Sequence, residues 1–167
     1  MHRLDRPVGG IMVFAKTSKA ASRLSESIRT KNFQKTYLAI VNGTFEEKSG
    51  RLEDYLLKDE ALNKSKVVSK DKYGAKLASL TYEVLEEKDG LSLVKINLET
   101  GRHHQIRVQF ANIGHSLYGD QKYGKGPQNT QISLWAYKLE FKHPTRDEVM
   151  LFECKPKRIG AWEIFEI

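Results

Sequence analysis

Ser79-Leu80-Thr81-Tyr82-Glu83-Val84-Leu85 and Leu91-Ser92-Leu93-Val94-Lys95-Ile96-Asn97-Leu98 stand on either side of Lys88-Asp89-Gly90. Both runs are rich in aliphatic, aromatic and β-branched residues, and Asp-Gly favours a tight hairpin turn. The pair predicts an antiparallel hairpin and, with it, a mostly antiparallel sheet.

Upstream, residues 44–76 are polar and weakly patterned, which predicts loops and short pieces, with an edge hairpin around residues 66–70. Before them, residues 37–41 form an expected strand stopped by Asn42-Gly43. Thr17 or Ser18 caps an expected helix with Ala20, Ala21, Leu24 and Ile28 on one face, ended by Lys31-Asn32. The run Ile11-Met12-Val13-Phe14-Ala15, after Gly9-Gly10, reads as a buried strand. Downstream, Ile106, Phe110 and Ile113 follow an i, i+4, i+7 pattern closed by Gly114, which predicts a short amphipathic helix. Residues 133–142 and 148–154 form a last expected strand pair around His143-Pro144-Thr145-Arg146. Strands outnumber helices, so the expected class is α+β, in one domain over residues 1–167.

The 28 Lys and Arg against 21 Asp and Glu leave a charge of +7, and 40% of residues are hydrophobic, enough for a core. The basic excess favours a polyanionic partner, because phosphates neutralised by Lys or Arg release counterions. Cys154 is the only cysteine, which excludes an intramolecular disulfide and a four-thiol zinc site. The first residues lack the pattern of a secretory signal, and no uncharged apolar run approaches the roughly 18 to 20 residues that span a bilayer. A reducing cytoplasm is the expected location.

Three clusters carry chemistry. In His2-Arg3-Leu4-Asp5-Arg6-Pro7 a carboxylate lies between two arginines, whose charge favours its ionised form. Such a group serves as nucleophile, base or cation stabiliser, or simply as part of a surface ion-pair cluster. In Glu99-Thr100-Gly101-Arg102-His103-His104-Gln105-Ile106-Arg107, between strand and helix, free backbone N–H groups suit an anion or polar ligand. His103 and Arg107, four apart, are expected on one helix face. Adjacent histidines point about 100° apart on a helix, and neither has a second His or Glu at i+3 or i+4, so no metal site is expected. In Gly114-His115-Ser116-Leu117-Tyr118-Gly119-Asp120, His115 and Asp120 either touch the second cluster or brace a glycine-rich loop, and bracing is the favoured expectation. Tyr37 alone reads as a sheet tyrosine.

No nucleophile elbow, P-loop or dinucleotide fingerprint is present. Retaining glycosidases need two carboxylates about 5 Å apart, one of them an acid. One carboxylate among arginines better suits a reaction in which a glycosidic bond breaks while the base stays in the site.

Residues 2–10, His2-Arg3-Leu4-Asp5-Arg6-Pro7-Val8-Gly9-Gly10, resemble the first signature of the RluA family of pseudouridine synthases. Lys35-Thr36-Tyr37-Leu38-Ala39-Ile40-Val41-Asn42-Gly43 resembles its second motif, and Thr100-Gly101-Arg102-His103-His104-Gln105-Ile106-Arg107-Val108 its third. Ile113-Gly114-His115, Gly119-Asp120 and Tyr123-Gly124 continue the pattern, in family order, and the likeness runs to about residue 156. The resemblance implies a two-layer α+β catalytic domain with a mixed sheet flanked by helices, acting without metal or organic cofactor. It implies isomerisation of uridine to pseudouridine in ribosomal or transfer RNA, by a monomer without an obligate protein partner.

Carried over by position, Asp5 attacks the sugar or the base, Tyr37 stacks on the uracil and is a candidate base for the C5 proton, and Arg107 pairs with Asp5. The target must be flipped out or unpaired, and Arg3 is placed to fill the vacated stack or hold the nucleotide. Arg6, Arg102, His103, His104 and Gln105 are expected to contact RNA. Ile106 and Leu117 are expected to line the uracil pocket, or else to be ordinary core residues. His103 stands where many relatives carry a small hydroxyl residue. Relatives usually have a segment before the first motif, so the chain is expected to be N-terminally short; its 167 residues hold no S4-type domain. Two other readings remain at this point, a non-catalytic RNA-binding relative and a nucleoside or glycoside hydrolase.

Overall fold

The computed structural model describes residues 3–124, 126 and 129–167; His2 of the first motif lies outside them. In chain order the elements are β1 (Gly9–Gly10), α1 (Ser18–Arg29), β2 (Phe33–Asn42), β3 (Ser49–Asp59), β4 (Lys64–Val68), β5 (Lys76–Lys88), β6 (Leu91–Leu98), α2 (Gln105–Asn112), β7 (Leu134–Lys142) and β8 (Val149–Glu153), with a 3-10 turn at Gly160–Glu163. The strands make one 8-stranded sheet in the order β1-β7-β2-β6-β5-β3-β4, with β8 also paired to β7. Among these pairings only β1 with β7 is parallel. This is the expected α+β class with a mixed, mostly antiparallel sheet.

The β5–β6 hairpin closes through Asp89 (φ 54) and Gly90 (φ 74), the two positive φ values that match a hairpin turn to the twist of its strands. Alternate residues of β2 and β6 then serve two faces. Tyr37, Ala39, Val41, Val94 and Ile96 pack with Ile106 and Phe110 of α2, while Leu38, Ile40 and Leu93 pack with Trp162 and Phe165 near the C-terminus. Burying each of the larger side chains contributes about 1.5–3 kcal/mol. α1, capped by the Thr17 hydroxyl, sets Leu24 against Phe33, Leu139 and Phe141, whose rings stack at 4.8 Å.

Three expectations need correction. Residues 11–15 are not a buried strand. β1 ends at Gly10 because β8 occupies the edge of β7 beyond Ala136. Ile11, Val13 and Ala15 pack on the α1 cluster, while Met12 (37%) and Phe14 (73%) face out. Residues 44–76 are not mainly loops, since they hold the whole β3–β4 hairpin. Polar Asp54 takes an inward position on β3, where it accepts from Gln109 Nε2 at 2.8 Å, and this breaks the apolar alternation. Finally, α2 is not amphipathic, since every residue from Gln105 to Phe110 is buried. No helix among the described residues is long and apolar enough to cross a membrane.

Candidate active site

Asp5 precedes β1 in a turn closed by Val8 N–H donating to the Asp5 carbonyl at 2.9 Å. Gly10, at φ 118, anchors that segment: a Cβ there would lie 2.3 Å from the Ala136 carbonyl oxygen. The chain can therefore lie flat on β7 only with glycine at this position. The turn delivers the Asp5 carboxylate to the first turn of α2. There Arg107 Nη1 donates to Asp5 Oδ2, and His104 Nε2 lies 3.2 Å from the same oxygen.

His104 is the residue before α2 and takes a left-handed conformation, φ 53. That geometry turns His103 away from the helix, so the expected common face of His103 and Arg107 does not form. His104 and Arg107 converge on Asp5 instead. His103 stacks on His104 at 3.7 Å and bonds Ser65 Oγ at 2.9 Å and Asn63 Oδ1 at 3.1 Å, linking the site to the β3–β4 hairpin. Ser65 N–H donates to the Tyr123 hydroxyl at 2.7 Å, and that hydroxyl lies 2.8 Å from His104 Nδ1. When the tyrosine donates onward, Nδ1 accepts and Nε2–H points to Asp5.

The guanidinium of Arg107, buried in α2, also donates to Asp120, from Nε at 2.8 Å and from Nη2 at 2.6 Å. Asp120 is 1% exposed and also accepts from the Lys122 and Tyr123 N–H groups. It thus braces its loop and also holds Arg107 of the second cluster, the alternative that the sequence reading offers but does not favour. Its value as a signal was masked by the distance of 13 residues between the two. Tyr123 was missed, although it stood in a quoted motif. His115 braces only: its ring bonds the Asn42 carbonyl at 2.9 Å and stacks on Phe45.

These residues open on a cavity of about 740 Å³, the size of an ordinary small-ligand site. Asp5, Tyr37, Ile106 and Arg107 line it, with exposed Arg3, Arg6 and Arg102 at its rim. His103 and His104 also line it. Gln105 faces it while bracing the loop: its carbonyl accepts from Thr100 Oγ1 (2.7 Å) and Arg102 N (3.0 Å), and its amide donates to the Ser79 carbonyl at 3.0 Å. Leu117 is not brought here. It is fully buried in the core, bridged to Val41, so its core reading is the one that stands.

The electrostatics follow from this packing. The His104 hydrogen bond, with Arg107 beside it, holds the Asp5 carboxyl well below the usual carboxylate range, against an opposing effect of burial. Burial pushes the Tyr37 phenol up to about 12. Burial, then the neighbouring His104, pushes His103 down to about 4. Among the described residues no group of three or more His, Cys, Asp or Glu is placed to hold a metal ion. The site is an ionised carboxylate on a fixed cation, in a cavity that an aromatic ring also lines.

The sequence profile for RNA pseudouridylate synthase matches residues 1–112. An uncharacterized RNA pseudouridine synthase of Bacillus subtilis, YhcT, is 38% identical over 92% of this chain and 51% of its own length. The ribosomal large subunit pseudouridine synthase C of Haemophilus influenzae is 34% identical, over 92% and 50%. The chain spans about half the length of these curated relatives. Human RNA pseudouridylate synthase domain containing 4 superposes with a TM-score of 0.78 at 25% identity, over 93% of this chain and 70% of that one. Human RNA pseudouridylate synthase domain containing 1 gives 0.81 at 23% identity, over 96% and 70%, a likeness of fold. The motifs, the sheet and these relatives agree, and the chain belongs to the RluA family of RNA pseudouridylate synthases.

Proposed function

We propose that the chain is the catalytic domain of an RNA pseudouridine synthase, with Asp5 as its nucleophile. The observation that carries this reading is the Arg107 guanidinium, held by Asp120 on one side and by Asp5 on the other, beneath a cavity that Tyr37 also lines. A carboxylate so paired stays ionised and aimed, and among the described residues the other carboxylate nearby, Asp120, is sealed behind Arg107.

A uridine flipped into the cavity lies against Tyr37, whose burial keeps the phenol protonated and narrows its role from base to stacking partner. The Asp5 carboxylate bonds to C1′ as the N1–C1′ bond breaks, with the electron pair of that bond moving onto the pyrimidine. The ring turns, C5 bonds to C1′ as the Asp5–C1′ bond breaks and frees the carboxylate, and the C5 proton is lost to water. Arg3, Arg6 and Arg102 at the rim meet the RNA backbone, and Arg3 fills the vacated stack. The name of the Haemophilus relative favours large-subunit ribosomal RNA as substrate, with transfer RNA the other class to test. The cytoplasm is the matching place of action, and the monomer is taken as the working unit.

The test is tritium release from RNA labelled at uridine C5, with Asp5→Ala as control. Release by the parent and none by the variant is expected. No release by the parent, with unchanged RNA binding by both, would make the chain a binding relative instead. Free uracil as product would make it a hydrolase.

A further inference from the structure

Lys35 stands two residues before Tyr37 on β2 and lines the same cavity as Asp5. It is 9% exposed. Among the described residues no carboxylate or carbonyl pairs with its ammonium, and burial is the one influence on its charge, pushing its pKa down. The polar side-chain atom sealed off without a partner is Gln109 Oε1, so the Lys35 nitrogen keeps an open side, toward the cavity. The ammonium passes close to Gly101, where a Cβ would lie 3.1 Å from Nζ. An ammonium so deeply placed keeps few water contacts, and an acceptor on a bound ligand would replace them.

We propose that Lys35 is a specificity-determining residue that donates to the O4 carbonyl of the flipped base and so selects uracil over cytosine. The proposal rests on the pseudouridine synthase reading of the site. An ammonium has three donors and no acceptor. Uracil presents an oxygen at C4, where cytosine presents an amino group, itself a donor. Two donors facing each other leave both without an acceptor, so cytosine is rejected at a cost that uracil does not meet.

Depth distinguishes this role from a phosphate contact. Arg3, Arg6 and Arg102 are exposed at the rim, where a backbone passes, while Lys35 lies beneath them. Its Cα is about 6.6 Å along the strand from that of Tyr37, a span its own side chain covers toward the edge of a ring lying on the tyrosine. As the N1–C1′ bond breaks, the pyrimidine gains negative charge, and the same cation stabilises it.

The experiment uses a hairpin RNA carrying a uridine that the parent protein converts, with two copies bearing cytidine or an abasic ribose at that position. Binding is measured at several salt concentrations for the parent, Lys35→Met and Lys35→Gln, and tritium release for the uridine RNA. Met replaces the ammonium with an apolar chain of similar length, and thermal melts confirm folding of both variants. Lys35→Met is expected to reduce the preference for uridine over cytidine by about 10- to 100-fold. It is expected to slow release and leave abasic binding and the salt slope unchanged. Lys35→Gln, which carries an acceptor, is expected to admit cytidine.

An unchanged uridine preference in both variants overturns the proposal. So does equal weakening on all three RNAs with a salt slope lower by about one, the mark of a phosphate contact. Should the parent convert no uridine, the pseudouridine synthase reading fails separately. Hairpins with one unpaired uridine, cytidine or abasic site then still decide whether Lys35 reads the base.

Discussion

Arg107 gives two of its donors to Asp120 and a third to Asp5, so the carboxylate in the cavity and the carboxylate in the core share one guanidinium. The pair within the core is the fixed one. Asp120 is sealed and its side-chain oxygens also take two backbone N–H groups, whereas Asp5 keeps 28% of its side chain exposed. The fork of Arg107 is therefore set by Asp120 and presented to Asp5, an arrangement that fixes the direction of the Asp5 carboxylate in the cavity.

Removing the inner partner should cost more stability than removing the outer one. Asp120→Ala leaves a buried guanidinium half-paired, a loss of about 3–5 kcal/mol. Asp5→Ala should stay within about 1 kcal/mol of the parent, because water reaches the vacated place. Urea denaturation of both variants checks the order, and equal losses would remove the hierarchy. Tritium release by Asp120→Asn, which keeps the shape but not the charge, should fall about 10- to 100-fold.

The pH profile should report the His104 contact. The folded pKa of Asp5 lies below its unfolded value, so its contribution to stability is complete above the unfolded value of about 3.9. That contribution is lost only as pH falls through the lower folded value. Activity should accordingly show no acid limb from Asp5 between pH 8 and 5. In His104→Ala the largest influence lowering that pKa is gone while Arg107 remains, and the limb should move to higher pH. Rates at constant ionic strength decide it, and identical limbs in parent and variant would leave His104 no electrostatic role.

The legible parts were those with a local cause. The Asp89-Gly90 turn declares its hairpin, the Thr17 cap declares α1, and Asp5, Tyr37 and Arg107 stand in motifs whose order is itself informative. What stayed hidden depends on distant contacts. Asp54 faces inward for the sake of Gln109, 55 residues on, and so erased the pattern of β3. Residues 11–15 look like a strand, but the edge they would join belongs to β8. His104 turns the chain with a positive φ that no glycine announces, and this exchanged the expected roles of the two histidines.

Tyr37 separates stacking from proton transfer. Its ring is buried at the cavity and its phenol is pushed up to about 12 by burial, so the proposed role rests on the aromatic face. Tyr37→Phe should keep most of the release rate and fold within about 1 kcal/mol of the parent. Tyr37→Leu should lose about 1–3 kcal/mol of base stacking, a fall of roughly 10- to 100-fold in kcat/KM. Loss of activity in the phenylalanine variant equal to that in leucine would return the hydroxyl to the mechanism.

His103 should make the fold sensitive to mild acid. Its folded pKa, about 4, lies below the ordinary 6.5, with burial and the neighbouring His104, Lys58 and Lys122 acting against its charge and Asp5 favouring it. Between those two values the unfolded chain binds more protons at this group than the folded one, so stability falls as pH drops from above 6.5 toward 4. Asparagine at this position keeps a polar group for Ser65 and Asn63 but takes up no proton. Thermal melts from pH 7 to 5 should therefore show His103→Asn losing about 2–4 °C less than the parent. Parallel declines would mean that the histidine charges in place, and that the Ser65 and Asn63 contacts of the β3–β4 hairpin survive its protonation.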